Sequence, residues 1–180
     1  DSIAMVDHRN PSFSASPGLR PQWRGVSGAI DCGDDPSVSI VTPYFDTEEF
    51  FVETAHSIFN QSLRCWEWII VDDGSADQAS LDRLHEVAAS DKRIRVIRQE
   101  NAGPAAARNT AFRASVGRFI CLLDSDDMIE PTYLETCVWF LESNSEFSFC
   151  NSWTVVFGDR EFLWSVGFER GVEHLKANSG

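Results

Sequence analysis

Residues 119–127 read Phe119-Ile120-Cys121-Leu122-Leu123-Asp124-Ser125-Asp126-Asp127, five apolar residues running straight into a stretch with three carboxylates. A short apolar run without alternation fits a strand buried on both faces of a parallel sheet. The switch to charge then marks the carboxyl end of that strand. Three carboxylates in four residues repel one another: two unit charges about 5 Å apart at an effective dielectric near 20 cost roughly 3 kcal/mol. Protonation of one group would relieve this, and so would a divalent metal. Hard oxygen donors suit Mg2+ or Mn2+, ions that keep waters and share their shell with substrate phosphates. A solvated acidic turn leading into the helix that Pro131 opens is the other reading of the same residues.

The pattern repeats on the N-terminal side. Val38 to Val41 is a β-branched run closed by Thr42-Pro43, and Trp68 to Val71 is a second run, broken by Asp72-Asp73-Gly74-Ser75. Ile94 to Ile97 supplies a third, and Phe119 to Leu123 the fourth. Between them, Phe50, Phe51, Ala55, Ile58 and Phe59 recur at helical spacing behind Asp46 and Thr47, which can cap. Leu81, Leu84, Val87 and Ala88 give the next helix, and Pro104 to Ala114 is Ala-rich with proline at its first turn. Beyond Pro131, a helix carrying Tyr133, Leu134, Cys137, Val138 and Leu141 precedes strand material at Phe147 to Cys150. Trp153 to Trp164 reads as further strand with a turn at Gly158-Asp159. Strand and helix in alternation predict an α/β fold, a mostly parallel, doubly wound, Rossmann-like sheet with helices on both faces. Residues 1–36, rich in proline and serine, read as an N-terminal tail or linker, and residues 37–180 as the domain.

Such sheets bind ligands at the carboxyl ends of their strands, near a switch in strand order. The polar groups there are Thr42, Asp72 and Asp73, Asn101 to Gly103, and Asp124 to Asp127. A carboxylate at Asp72-Asp73 can accept from a base imide N–H or from ribose hydroxyls, and an ordinary Asp-Gly turn is the plainer reading. Small residues from Asn101 to Ala107 let backbone approach a ligand, the helix start favours anions, and Arg108 can reach a phosphate or a base.

Composition narrows the partners. The chain of 180 residues carries 15 Lys and Arg against 28 Asp and Glu, a net charge of −13. That excludes nucleic acid as an electrostatic partner, and an anionic ligand would need a mediating cation. The apolar runs are far shorter than the roughly 20 residues of a membrane span, and the N-terminus lacks a signal-peptide layout, so a soluble chain without a membrane span is expected. Five cysteines without a C-x-x-C pair point to reduced thiols in a protein of cytosolic type.

Taken in order, Ser39-Ile40-Val41-Thr42-Pro43-Tyr44-Phe45, Gln61-Ser62, Trp68 to Ser75, Asn101-Ala102-Gly103-Pro104 with Ala107-Arg108-Asn109, and Leu122 to Asp127 resemble the inverting glycosyltransferases of the GT-A fold, family 2 type. The resemblance covers roughly residues 38–150. It implies a nucleotide-sugar donor, most often a UDP-sugar, a divalent Mn2+ or Mg2+ held through the D-x-D, and transfer with inversion to a hydroxyl of a carbohydrate or other acceptor. It implies that Thr42, Pro43 and Tyr44 line the base pocket and that Asp73, with Asp72 close by, binds uracil. Gly103, Arg108 and Ser125 belong to the nucleotide set, Asp124 lies near the ribose and donor sugar, and Asp126 with Asp127 coordinates the metal. The family's general base lies in a later acidic motif, so it is expected beyond Gly180, with this chain carrying the donor-binding half. A cytoplasmic location is expected, at the cytoplasmic face of a membrane in a longer protein. Competing readings are a domain that binds sugar nucleotide without turnover and a sugar nucleotidyltransferase. The latter wants a Gly-rich basic loop where Thr42-Pro43-Tyr44-Phe45 stands. A regulatory phospho-acceptor module leaves Asn101 to Pro104 unexplained, and no G-x-x-x-x-G-K is present for Walker-type binding.

Overall fold

A computed structural model of the chain describes residues 4–7, 36–47, 49–152, 154–156 and 162–164. The strands of the main sheet are β1 (Ala4–Asp7), β2 (Val38–Tyr44), β3 (Trp66–Asp72), β4 (Ile94–Arg98), β5 (Phe119–Leu122) and β6 (Phe149–Asn151). They lie in the order β4-β3-β2-β5-β1-β6. The four strands β4, β3, β2 and β5 are parallel, and β1 runs antiparallel between β5 and β6. The α/β class and the mostly parallel sheet thus follow the sequence pattern. A separate antiparallel pair, β7 (Thr154–Val156) with β8 (Phe162–Trp164), matches the strand material read there, and the Gly158-Asp159 turn lies outside the described residues.

Strand β1 is a departure from the sequence reading. It falls in the segment that reads as tail or linker, yet Ala4 to Asp7 pairs with β5 on one side and with β6 on the other. Four residues carry too little periodicity to announce a strand, and Met5, fully buried, is recruited by its neighbours in the sheet.

The helices are α1 (Phe50–Phe59), α2 (Gln78–Ser90), α3 (Pro104–Ala114) and α4 (Tyr133–Ser143). Alternation along the strands divides the core. Val38, Ile40, Trp66, Trp68, Ile70, Phe119 and Cys121 pack with Phe51, Ala55 and Ile58 of α1, Leu84 and Val87 of α2, and Leu134, Val138 and Leu141 of α4. On the opposite face Val41, Ile69, Val71 and Ile120 meet Ala107 and Ala111 of α3. Alanines at the contact let α3 lie close to the sheet, which brings its first turn near the strand ends. The thiols divide too: Cys121, Cys137 and Cys150 are free, as expected, whereas Cys65 is disulfide-bonded and departs from the all-reduced reading. Among the described residues no helix is long and apolar enough to cross a membrane.

Chain order creates the switch point. From β2 the chain steps outward to β3 and β4, then returns through α3 to β5 on the other side of β2. Pairing of β2 with β5 ends at Val41↔Leu122, with Leu123 N–H donating to the Val41 carbonyl (3.1 Å). Pairing of β2 with β3 runs on to Tyr44↔Asp72. The two central strands therefore part company at their carboxyl ends, and Asp124 to Asp127 begin where they do.

The amino-terminal edge is held by a buried carboxylate. Glu67 Oε1 accepts from Ser39 Oγ (2.6 Å) and Val116 N–H (2.9 Å), and Oε2 accepts from Arg95 (2.9 Å). Ser39 Oγ in turn accepts from Gly117 N–H (2.8 Å), so β2, β3, β4 and the turn before β5 share one network. Burial pushes the Glu67 carboxyl up, but the bonds from Ser39, Val116 and Arg95 outweigh it and hold the group below its ordinary range. A lowered folded pKa means that the carboxylate contributes stability above the unfolded value of about 4.3 and loses it as pH falls through the folded value. In urea denaturation, Glu67→Gln is expected to be less stable than the parent at pH 7 by about 1–3 kcal/mol. The gap should shrink as pH drops below 4; a gap constant with pH would contradict the assignment. A Cβ on Gly117 would stand 2.6 Å from Ser39 N and 2.8 Å from the Val38 carbonyl carbon, backbone atoms that cannot step aside. Gly117→Ala should accordingly lower stability by about 1–3 kcal/mol in a thermal melt.

Candidate functional site

Four loops meet at the carboxyl edge of the parallel strands. The turn after β3 is shaped by Gly74, whose φ of +85° favours glycine and whose added Cβ would lie 3.0 Å from Asn101 N. This close approach packs the β3–α2 turn against the loop entering α3. Asp72 and Asp73, 2% and 3% exposed, are anchored there. Asp72 accepts from Ser75 N–H (2.8 Å) and pairs with Arg98 (3.0 Å), whose second terminal nitrogen donates to the Ser75 carbonyl (2.9 Å). Asp73 accepts from Gln99 Nε2 (2.7 Å), Ala102 N–H (3.0 Å) and Gly103 N–H (2.8 Å). Burial raises the proton affinity of Asp73, but the bonds from Ala102, Gln99 and Gly103 prevail and keep it ionised below the usual carboxylate range.

These contacts modify two sequence expectations. A carboxylate has about four acceptor positions, and Asp73 gives three of them to protein donors, so its main observed role is to clamp the Asn101–Gly103 loop. The N–H groups of Ala102 and Gly103, at the helix start where an external anion is expected, are filled by that same aspartate. Gly103 takes φ +88° as the N-cap of α3, and Pro104 stands in its first turn as predicted.

The β2 end is corrected more strongly. Period-two alternation turns Thr42 and Tyr44 toward α1 and α2, where both are fully buried. Thr42 Oγ1 accepts from the Trp68 indole N–H (2.9 Å). The Tyr44 ring meets Phe51 edge-on, with centroids 4.7 Å apart, and its hydroxyl donates to the Ser80 carbonyl (2.8 Å). Neither side chain presents a surface to a ligand; of the three residues expected to line a base pocket, Pro43 alone is partly exposed. Asp46 and Thr47 do not cap α1 either. Asp46 accepts from Ala76 and Asp77 N–H groups (2.8 and 2.9 Å), and the N-cap of α1 is Glu49, with no side-chain cap.

The acidic loop after β5 is gripped from both faces of the sheet. Arg108 of α3 forms an ion pair with Asp124. Ser125, nearly buried, shares a hydrogen bond with Thr47 Oγ1 (2.7 Å), and its carbonyl accepts from Thr54 Oγ1 (3.0 Å). Its hydroxyl is thereby engaged on the α1 side. Asp126 is exposed and has no protein partner among the described residues, and Asp127 is half-buried. Burial pushes the Asp127 carboxyl up, and the charges of Asp126 and Asp124 push it further in the same direction. The repulsion inferred from sequence is thus present, concentrated on Asp127.

Among the described residues no group of three His, Cys, Asp or Glu forms a metal cage. The donor set fits a hard divalent ion that is only partly held by protein: one open carboxylate, and a second raised in proton affinity by burial and by the charges of its neighbours. Sequence reasoning missed Arg98 and Gln99, which brace Asp72 and Asp73. Both sit at the end of β4, where the strand-end rule already directs attention. Gln99 is itself oriented by Thr110 Oγ1, which donates to its Oε1 (2.7 Å).

Comparison with known proteins gives this geometry a context. The Bacillus subtilis (strain 168) protein EpsH is 41% identical over 118 residues, 66% of this chain and 34% of that protein. The chondroitin synthase of Escherichia coli is 41% identical over 103 residues, 57% of this chain and 15% of that enzyme. The chain thus spans about a third or less of the length of these relatives. Among solved structures, S. aureus TarS residues 1–349 in complex with UDP-GlcNAc superposes with a TM-score of 0.55 at 26% identity, covering 61% of this chain and 32% of that one. The mannosyltransferase PcManGT from Pyrobaculum calidifontis, solved with GDP-Man and Mn2+, shares the fold with a TM-score of 0.54 at 23% identity, over 62% and 34% of the two chains. The model of glycosyl transferase family 2 matches residues 39–178, and with the GT-A-like sheet and the acidic loop at its switch point in place, the chain belongs to that family.

Proposed function

We propose that this domain binds a nucleotide sugar, a UDP-sugar first among candidates, at the parting of β2 and β5, and that it serves the inverting transfer of the sugar to an acceptor hydroxyl. The observation that carries the reading is the two-sided grip on the D-x-D loop, which leaves Asp126 and Asp127 as carboxylates at the switch point whose side chains have no hydrogen-bond or ion-pair partner among the described residues. Support for the donor class comes from the family and from TarS, the neighbour solved with UDP-GlcNAc. Asp126 with Asp127 would hold Mg2+ or Mn2+, and such an ion, when bound, stabilises negative charge on a departing diphosphate.

The chain's own residues supply binding and orientation. Arg108 fixes Asp124 so that its remaining acceptor capacity is available to ribose or sugar hydroxyls. Gly103 and Ala102, tied to Asp73, would give a bound base a fixed wall, and the last acceptor position of Asp73 suits an imide N–H. Ser125 serves by holding the loop instead of by touching the nucleotide. An activated hydroxyl would attack the anomeric carbon on the face opposite the diphosphate.

Two variants separate the parts of the site. In UDP titrations with and without Mn2+, Asp126→Ala is expected to abolish the enhancement by metal, at least a tenfold loss or about 1.4 kcal/mol, and to leave the metal-free affinity no lower than that of the parent, since a like charge is removed. Binding in the parent that ignores Mn2+ would count against the proposal. Asp73→Asn disturbs the clamp on Ala102 and Gly103, so UDP affinity should fall by roughly tenfold both with and without Mn2+. Unchanged affinity in that variant would remove Asp73 and its loop from the site.

A further inference from the structure

Helix α1 carries an unusual stripe. Beside its apolar residues Phe51, Ala55 and Ile58, the positions Thr54, Ser57 and, just past its end, Gln61 follow helical spacing, and Thr54 and Gln61 are fully buried. Buried hydroxyl and amide groups are costly unless each is paired. Here the partners all lie on backbone, much of it in the loop between β5 and α4. Thr54 Oγ1 donates to the Ser125 carbonyl (3.0 Å), and Ser57 Oγ accepts from Ile129 N–H (3.3 Å). Gln61 Nε2 donates to the carbonyls of Glu130 (2.7 Å) and Ser57 (3.0 Å), while its Oε1 accepts from Leu134 N–H (3.1 Å). Ser62 N–H donates to the Pro131 carbonyl (2.7 Å).

The loop needs such partners because it has neither helix nor strand of its own to satisfy its backbone. An apolar stripe on α1 would have filled the same volume and left those carbonyls and N–H groups orphaned. The anchoring is most telling at Ser125, the residue between the two aspartates of the D-x-D. Its carbonyl is held by Thr54 and its hydroxyl by Thr47, while the preceding Asp124 is held by Arg108 from the other face. Asp126 follows directly on a backbone fixed at both of these points.

We propose that the polar stripe of α1, with Thr54 as its key member and Gln61 as its support, is a positioning element that presets the D-x-D loop for a divalent cation. The inference rests on the reading of Asp126 and Asp127 as the metal-binding pair. It assigns a role to residues that touch neither nucleotide nor metal, and to the Gln61-Ser62 pair, which the sequence displays without explaining. A preset loop has its conformational entropy removed before the ion arrives, so loosening it should weaken the metal step more than the nucleotide step.

The test is a Mn2+ titration of UDP binding. Thr54→Val keeps the shape and removes the donor to the Ser125 carbonyl; Thr54→Ser keeps the donor. In Thr54→Val the Mn2+ concentration for half-maximal UDP binding is expected to rise by roughly five- to tenfold, the worth of a lost buried hydrogen bond. UDP affinity at saturating Mn2+ should stay within about twofold of the parent, and Thr54→Ser should restore the parent's Mn2+ dependence. An unchanged half-maximal Mn2+ concentration, or a loss of UDP affinity equal at all Mn2+ concentrations, overturns the proposal. Thr47→Val removes the anchor on the Ser125 hydroxyl from a half-buried position and decides the matter by the same criterion if Thr54→Val does not fold. A parent protein that binds UDP without regard to Mn2+ overturns the underlying functional reading, an outcome distinct from a metal-dependent parent with indifferent variants.

Discussion

The constraint on which this structure turns is that a carboxylate buried at a strand end must be compensated where it stands. Asp72, Asp73 and Asp124 lie at the ends of β3 and β5, and each is met by a different donor set: Arg98 and Ser75 N–H for the first, Gln99 with two backbone N–H groups for the second, Arg108 for the third. An unpaired buried charge would cost several kcal/mol, more than most single contacts in the fold contribute. The donors come from elements far apart in sequence, so satisfying the charges also fixes where β4, the start of α3 and the β3–α2 turn must lie. Glu67 does the same at the opposite edge, tying three strands to the turn before β5.

Compensation on one side and its absence on the other give the switch point its character. Strands β2 and β5 separate after Val41 and Leu122, and the loop that begins there is held by Arg108 from the α3 face and by Thr47 and Thr54 from the α1 face. A loop without regular structure is thus made rigid by side chains from opposite sides of the sheet. Its last acidic residues, Asp126 and Asp127, have no side-chain hydrogen-bond or ion-pair partner among the described residues, and burial together with the charges of Asp126 and Asp124 raises the proton affinity of Asp127. Rigidity at the backbone and frustration at the carboxylates are complementary, since a bound cation would gain from both.

Much of this was legible in the residues because strand ends announce themselves. Phe119 to Leu123 followed by Asp124 located the central strand and its acidic loop, and Trp68 to Val71 followed by Asp72-Asp73-Gly74 did so for β3. What could not be read was the direction and occupancy of side chains. Tyr44 and Thr42 stand in the expected stretch, yet strand alternation turns them into the α1/α2 core, and one-residue differences in alternation decide such questions. Asp73 stands out in the sequence, but its three donors come from Gln99, Ala102 and Gly103, whose approach depends on the tight packing of Gly74 against Asn101. Strand β1 was invisible for a different reason: Ala4 to Asp7 gains its conformation from pairing with β5 and β6, a tertiary effect that four residues cannot signal.

The net charge of −13 acquires a local meaning from the same arrangement. Arg98 and Arg108, the cations that enter this edge from β4 and α3, are already paired with Asp72 and Asp124. The N–H groups leading into α3, a natural anion site, are taken by Asp73. A diphosphate approaching the switch point would therefore find its best electrostatic partners occupied and Asp126 and Asp127 facing it with like charge. Under the proposed function, a cation arriving with the ligand or before it would supply the electrostatic attraction. On the same proposal such a surface would favour the metal complex of the anion over the free form, and the internal ion pairs that hold Arg98 and Arg108 would be what makes that selection possible.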